Sequence, residues 1–214
     1  HLFCSPYEAC SSGSRMRPIS DLPDWMWLWS AGHALSLAPL SYKAALVAAT
    51  PLVKGIGKAL GMDCINVSGA TGDCSTALEA KADAAIRALD DTGYDFVMVH
   101  VEGADMASHS GSFSLKRSFL EAIDRRLLAP LWKRVAEGGD TVLALLPDHV
   151  TSWRRRCHTS DPVPVCLYIP WMEADTIDRF DEASVAGGSL GIIRPGGLAE
   201  TVNELRKHQK SVQS

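Results

Sequence analysis

Asp105, His109, Asp148, His149 and His158 are the residues of this chain best suited to chemistry, and they fall into two groups. The first group follows the apolar run Asp95-Phe-Val-Met-Val-His-Val101 through Glu102-Gly-Ala-Asp105-Met-Ala-Ser-His109. The second follows Thr141-Val-Leu-Ala-Leu-Leu-Pro147 directly as Asp148-His149, with His158 one loop later, before Asp161-Pro-Val-Pro164. Carboxylates and imidazoles are ligands for zinc or manganese. Five of them exceed what one ion draws from a protein, so the spacing suggests parts of a two-metal site. An Asp-x-x-x-His pair also occurs as an ordinary helix-surface pair, and Asp-His as a loop accident, so the residues alone leave both readings open.

The elements that would position these groups alternate. Both apolar runs read as buried parallel strands, and open α/β sheets bind ligands at the carboxyl ends of their strands. Residues 41–60 read as a helix with a break near Pro51, ended by Gly61. Residues 63–67 read as a short strand. Thr76-x-x-Glu79 has the form of a capping box opening a helix to about residue 90. Residues 116–136 carry helical apolar spacing at Leu120, Ile123, Leu127, Leu128 and Leu131. Residues 164–169 read as another strand and 197–208 as a last helix. Strands alternating with helices imply an α/β fold with a mainly parallel sheet covered by helices on both faces. Residues 1–40 differ: they are punctuated by Pro18, Pro23 and Pro39 and carry Trp25, Trp27 and Trp29 at strand-like spacing.

Composition narrows the field. The chain has 214 residues, 46% hydrophobic and 21% charged, the balance of a globular protein. A net charge of -4 gives no electrostatic footprint for nucleic acid. No apolar stretch is long enough to span a bilayer, and the start is unlike a signal peptide. The six cysteines include no C-x-x-C pair, which suits a reducing cytoplasm. Gly55-x-Gly57-x-x-x-Gly61 has the wrong spacing and context for a dinucleotide turn and reads as close helix packing.

Several segments resemble one family. Val99-His-Val-Glu-Gly-Ala-Asp105-Met-Ala-Ser-His109-Ser-Gly111, Leu146-Pro-Asp-His-Val-Thr151 and Cys157-His-Thr-Ser-Asp-Pro-Val-Pro164 are similar, in order, to segments of the archaeal-type, cofactor-independent phosphoglycerate mutases of the alkaline phosphatase superfamily. Trp27-Leu-Trp29-Ser-Ala-Gly32, residues 53–62 and Gly69-Ala-Thr-Gly72 have counterparts too. The resemblance implies an alkaline-phosphatase-like core. It also implies interconversion of 3-phosphoglycerate and 2-phosphoglycerate through a phosphoserine and two divalent metals, manganese or zinc. One ion would take Asp105, His109 and His158. The other would take Asp148 and His149 with an aspartate and a serine for which this chain has no match. The expectation is therefore a C-terminal half of such an enzyme, with residues 1–40 as the end of the cap domain and hinge and 41–214 as half of the phosphotransfer core. A missing N-terminal half becomes the expected partner, and a phosphorylated small molecule the expected substrate. A catalytically silent binding module and a metal-dependent phosphatase remain as alternatives.

Other segments carry two readings. Ser68–Thr76 links a strand to a helix and reads as a phosphate contact or as a plain turn. Arg154, Arg155 and Arg156 lie between the metal-ligand candidates and read as a substrate-facing run or a solvated one. Glu102 reads as a carboxylate that could hold a ligand histidine in its tautomer. Ser108 and Ser112 depart from the family's glycine and aspartate, Ser152 from its proline, and Ser30 and Ala31 from its glycine and glutamine.

Overall fold

The computed structural model describes residue 40, residues 42–194 and 197–202, and residues 204 and 205. The tryptophan-rich segment and the expected last helix beyond residue 205 lie outside these. The described residues form two compact units. One holds the chain up to Leu131 together with Trp153–Arg156, and the other holds Trp132–Ser152 and the chain from Cys157 onward.

The first unit is built on a parallel sheet. Strand β1 (Ala44–Val47) lies between β2 (Asp63–Ile65) and β3 (Phe96–Val99), pairing Ala45 with Asp63 and Val47 with Val99. All four residues of β1 are buried. Its alternate residues face two different cores, as a pleated strand requires. Ala44, Leu46 and Ala48 pack with Met62, Met98 and Val53 of helix α1 (Pro51–Ala59). Val97 and Val99 of β3 face the other way, against Leu78, Ala82 and Ala85 of α2 (Leu78–Asp90) and Phe119 of α4 (Phe113–Ile123). The three-stranded sheet is thus covered by helices on both faces, as expected for this fold class.

Three local readings are corrected. Residues 44–47 are the central strand, not part of a helix. Alanine favours helix locally, but Ala44-Ala-Leu-Val47 is buried between two strands and two helix layers, where small side chains let the helices approach. The helix begins at Pro51, whose missing N–H suits the first turn. The capping box does not form either. Helix α2 starts after Ala77 without a side-chain cap. Thr76 accepts a bond from Thr71 N–H instead, and Glu79 pairs with Arg126, whose Nη2 lies 2.7 Å from Glu79 Oε2.

In the second unit, β4 (Leu143–Leu145) pairs with β7 (Cys166–Tyr168) antiparallel, not parallel. Between them the chain runs through the hairpin β5 (Val150–Ser152) and β6 (Cys157–Thr159) without a crossover helix, and a parallel return needs such a crossover. Trp132 and Tyr168 pack edge to face, with centroids 4.4 Å apart. The expected long helix is present as α4, a π-helical turn (Asp124–Leu128) and α5 (Ala129–Gly138). Among the described residues no helix is long and apolar enough to cross a membrane.

Helix α3 (Gly103–His109) follows β3 almost immediately, and its tight start depends on Gly103. A Cβ there would lie 2.6 Å from the buried Phe119 ring and 2.8 Å from the Asp73 carbonyl carbon. The backbone atom cannot move aside as a rotamer can. Gly103→Ala should therefore lower stability by about 1–3 kcal/mol through overpacking, measured by urea denaturation. Unchanged stability would contradict this packing.

Candidate metal centre

The site builds from strand ends. In the first unit, β3 runs out at Val99, His100 N–H extends the parallel ladder to the Val47 carbonyl, and α3 opens at Gly103. Asp105 and His109 are i and i+4 on this helix, hence on one face. Asp105 Oδ1 lies 3.4 Å from His109 Nε2, with the two side chains about a quarter and two-fifths exposed. His109 Nδ1 lies 2.9 Å from the Arg156 carbonyl oxygen. A carbonyl only accepts, so Nδ1 carries the proton and donates. In the neutral ring Nε2 then presents its lone pair toward the carboxylate. Two lone pairs at this distance repel unless a proton or a metal cation lies between them.

The second unit repeats the arrangement on different elements. Asp148 Oδ2 lies 3.5 Å from His149 Nε2. His149 Nδ1 lies 3.1 Å from the hydroxyl of the buried Thr151. His158, opposite Thr151 in the β5–β6 register, stacks its ring on His149 with centroids 3.8 Å apart. Each unit therefore gathers its own share of the expected ligands: Asp105 with His109 in one, Asp148, His149 and His158 in the other.

The donor set suits a divalent cation. Oxygen and nitrogen atoms 3.4 and 3.5 Å apart subtend about 110° at an ion held at ~2.1 Å, an ordinary angle for zinc. His109 and His149 each have Nδ1 hydrogen-bonded, the usual way a ligating imidazole is oriented.

Neighbouring groups were less legible. Lys81 lies on the apolar face of α2 and is fully buried. Its ammonium donates to the His100 carbonyl at 2.9 Å, tying α2 to the end of β3. Burial pushes its pKa down, and the nearby Glu102 carboxylate opposes that shift. Its position among Leu78, Ala82 and Ala85 was the available sequence signal. Glu102 accepts a bond from the Thr50 hydroxyl, just beyond β1. The group that orients His109 is thus a backbone carbonyl, and Glu102 binds Thr50. In the Ser68–Thr76 loop, Thr71 Oγ1, Ser75 N–H and Ser75 Oγ all donate to Asp73 Oδ1. The Ser75 bonds lead in holding the Asp73 carboxyl below its usual range. These donors serve the turn itself. Arg154 lies over the Trp153 ring, 5.1 Å from its centroid. Arg154, Arg155 and Arg156 are all exposed. Ser108 is fully buried, and its hydroxyl donates to the Ala104 carbonyl at 2.8 Å. Ser112 caps α4, accepting from Leu115 N–H. Both serines thus fit where the family pattern favours other residues.

The model of the Metalloenzyme superfamily matches residues 37–203. The chain belongs to the Metalloenzyme superfamily. Within that superfamily it is similar to proteins named 2,3-bisphosphoglycerate-independent phosphoglycerate mutase. The one from Methanosarcina acetivorans is 37% identical, over 81% of this chain and 45% of the relative. The one from Saccharolobus solfataricus is 41% identical, over 77% of this chain and 40% of the relative. The chain thus spans less than half the length of these curated relatives. A solved Pyrococcus horikoshii protein superposes with a TM-score of 0.71 at 35% identity, covering 77% of this chain and 48% of that one. The cofactor-independent phosphoglycerate mutase of Thermoplasma acidophilum superposes with a TM-score of 0.52 at 30% identity, covering 69% of this chain and 32% of that one.

Lys81 gives a pH test of the scaffold. A lysine with a folded-state pKa below its unfolded value destabilises the fold while charged. That cost is full below the folded pKa and is relieved as pH rises through it toward the ordinary lysine range. Across this window the native protein should gain stability relative to Lys81→Met in urea denaturation. Parallel stability curves for the two proteins would contradict a buried, charged lysine.

Proposed function

We propose that this chain is the metal-holding part of a cofactor-independent phosphoglycerate mutase, an isomerase of 3-phosphoglycerate and 2-phosphoglycerate. The observation that carries the reading is the repeated pairing of a carboxylate oxygen with an imidazole Nε2 whose Nδ1 is already hydrogen-bonded. The names of the Methanosarcina and Saccharolobus relatives supply the substrate.

Asp105, His109 and His158 are the proposed ligands of one divalent ion, manganese or zinc. Asp148 and His149 are the proposed share of a second, completed by residues these 214 do not match. Bound ions supply positive charge that lowers the pKa of a serine nucleophile and neutralises the transferring phosphoryl group. The chain's own residues prepare for that. The Arg156 carbonyl and the Thr151 hydroxyl orient the two imidazoles. Lys81 anchors the strand end from which α3 starts. Guanidinium groups of Arg154 and Arg155 are exposed and suited to a phosphorylated substrate. The serine nucleophile itself is not assigned within these residues, so the 214-residue chain alone is proposed to be inactive as a mutase.

Titration of the purified chain with manganese or zinc should find one tight site. His109→Ala should abolish it, and His149→Ala should leave it nearly unchanged. In a coupled assay the metal-loaded chain should not interconvert the two phosphoglycerates, while a full-length relative does. Two equally tight sites, or activity matching that relative, would refute this assignment.

A further inference from the structure

The geometry points to Arg156 as a positioning residue that acts through its backbone and not through its guanidinium. Arg156 is the only described residue other than glycine with positive φ, at 55°. For an L-residue this left-handed conformation is disfavoured, and arginine has no local hydrogen bond to offset it as asparagine does. Arg156 is the last of the four residues, Trp153–Arg156, that join β5 to β6, and Ser152 pairs with Cys157 across that join. The left-handed residue stands where this short connection turns back into β6. The same conformation carries the Arg156 carbonyl to His109 Nδ1, at 2.9 Å.

That bond determines which nitrogen of His109 holds the proton. With Nδ1–H given to the carbonyl, the Nε2 lone pair stays toward Asp105. The guanidinium is occupied elsewhere. It lies against Gly111, where a Cβ would overlap Arg156 Nε, and Gly111 itself sits at φ 78°. Phe113, the first residue of α4, packs on Trp153 with centroids 5.3 Å apart. This aromatic contact, which does not involve the guanidinium, docks the turn beside the carbonyl–imidazole bond.

The inference rests on His109 being a metal ligand, and the variants separate the two claims. Arg156→Gly keeps the carbonyl and eases the left-handed conformation while deleting the guanidinium. Arg156→Val keeps a carbonyl but resists positive φ. In the metal-free full chain, at a pH where the imidazole is neutral, 15N chemical shifts should report the Nδ1–H tautomer of His109. The wild type and Arg156→Gly should share it, and Arg156→Val should lose it. Zinc alone, titrated into the same proteins, should bind wild type and Arg156→Gly within about twofold of each other, and Arg156→Val about 10–100-fold more weakly, the usual cost of losing a group that orients a ligand. Zinc affinity untouched by His109→Ala would overturn the ligand assignment, while the tautomer measurement would still decide the role of Arg156. An Nε2–H tautomer in the wild type would overturn that role, as would Arg156→Gly weakening zinc as much as Arg156→Val. If Arg156→Val does not fold, the tautomers of the wild type and Arg156→Gly decide the role of Arg156 by themselves: a shared Nδ1–H form supports it, and an Nε2–H form in either overturns it.

Discussion

A neutral imidazole whose Nδ1 is committed to a carbonyl meets a neighbouring carboxylate with a lone pair, and a proton or a metal cation between them relieves that encounter. His109 and Asp105 are held in this relation, and His149 and Asp148 stand at nearly the same separation. Neither pair is a stabilising contact without a proton or a metal between its members. The surrounding structure must therefore hold them there, and most features of the first unit can be traced to that requirement.

The scaffold does this by rigid burial. β1 has every side chain inside, so the strand beside it ends at a fixed place. Lys81 reaches from α2 to the last carbonyl of that strand run. Its amine is kept from water at a cost that Glu102 partly offsets. Gly103 lets α3 start against Phe119 and the Asp73 backbone without a side chain in the way. Asp105 and His109 then follow from helical spacing alone. The Arg156 carbonyl selects the nitrogen that faces outward. Residues far from one another in sequence thus converge on the orientation of a single ring.

The sequence disclosed what is written in side-chain type and spacing. Aspartates and histidines after apolar, β-branched runs marked the donor groups. The resemblance around Asp105–His109 and Asp148–His149 led to the superfamily whose model matches most of the chain. Other features escaped because their signals are weak or shared. Ala44–Val47 looks helical by propensity, and only its burial between two strands makes it a strand. The antiparallel return of β7 depends on a connection without a crossover, which an apolar run does not reveal. Thr76-x-x-Glu79 matched a capping box, yet Glu79 found Arg126 and Thr76 found the Thr71 backbone. Arg156 drew notice for its charge, whereas its structural contact with His109 comes from a carbonyl that every residue type carries.

X-ray absorption at the zinc edge of the zinc-loaded chain tests the proposed metal centre most directly. Ligation by these aspartates and histidines should give a nitrogen and oxygen shell at about 2.0–2.1 Å with the outer-shell scattering of imidazole rings. In His109→Ala this shell should be lost together with tight zinc binding. A shell of oxygen alone, or sulfur at about 2.3 Å from cysteine ligation, would contradict it.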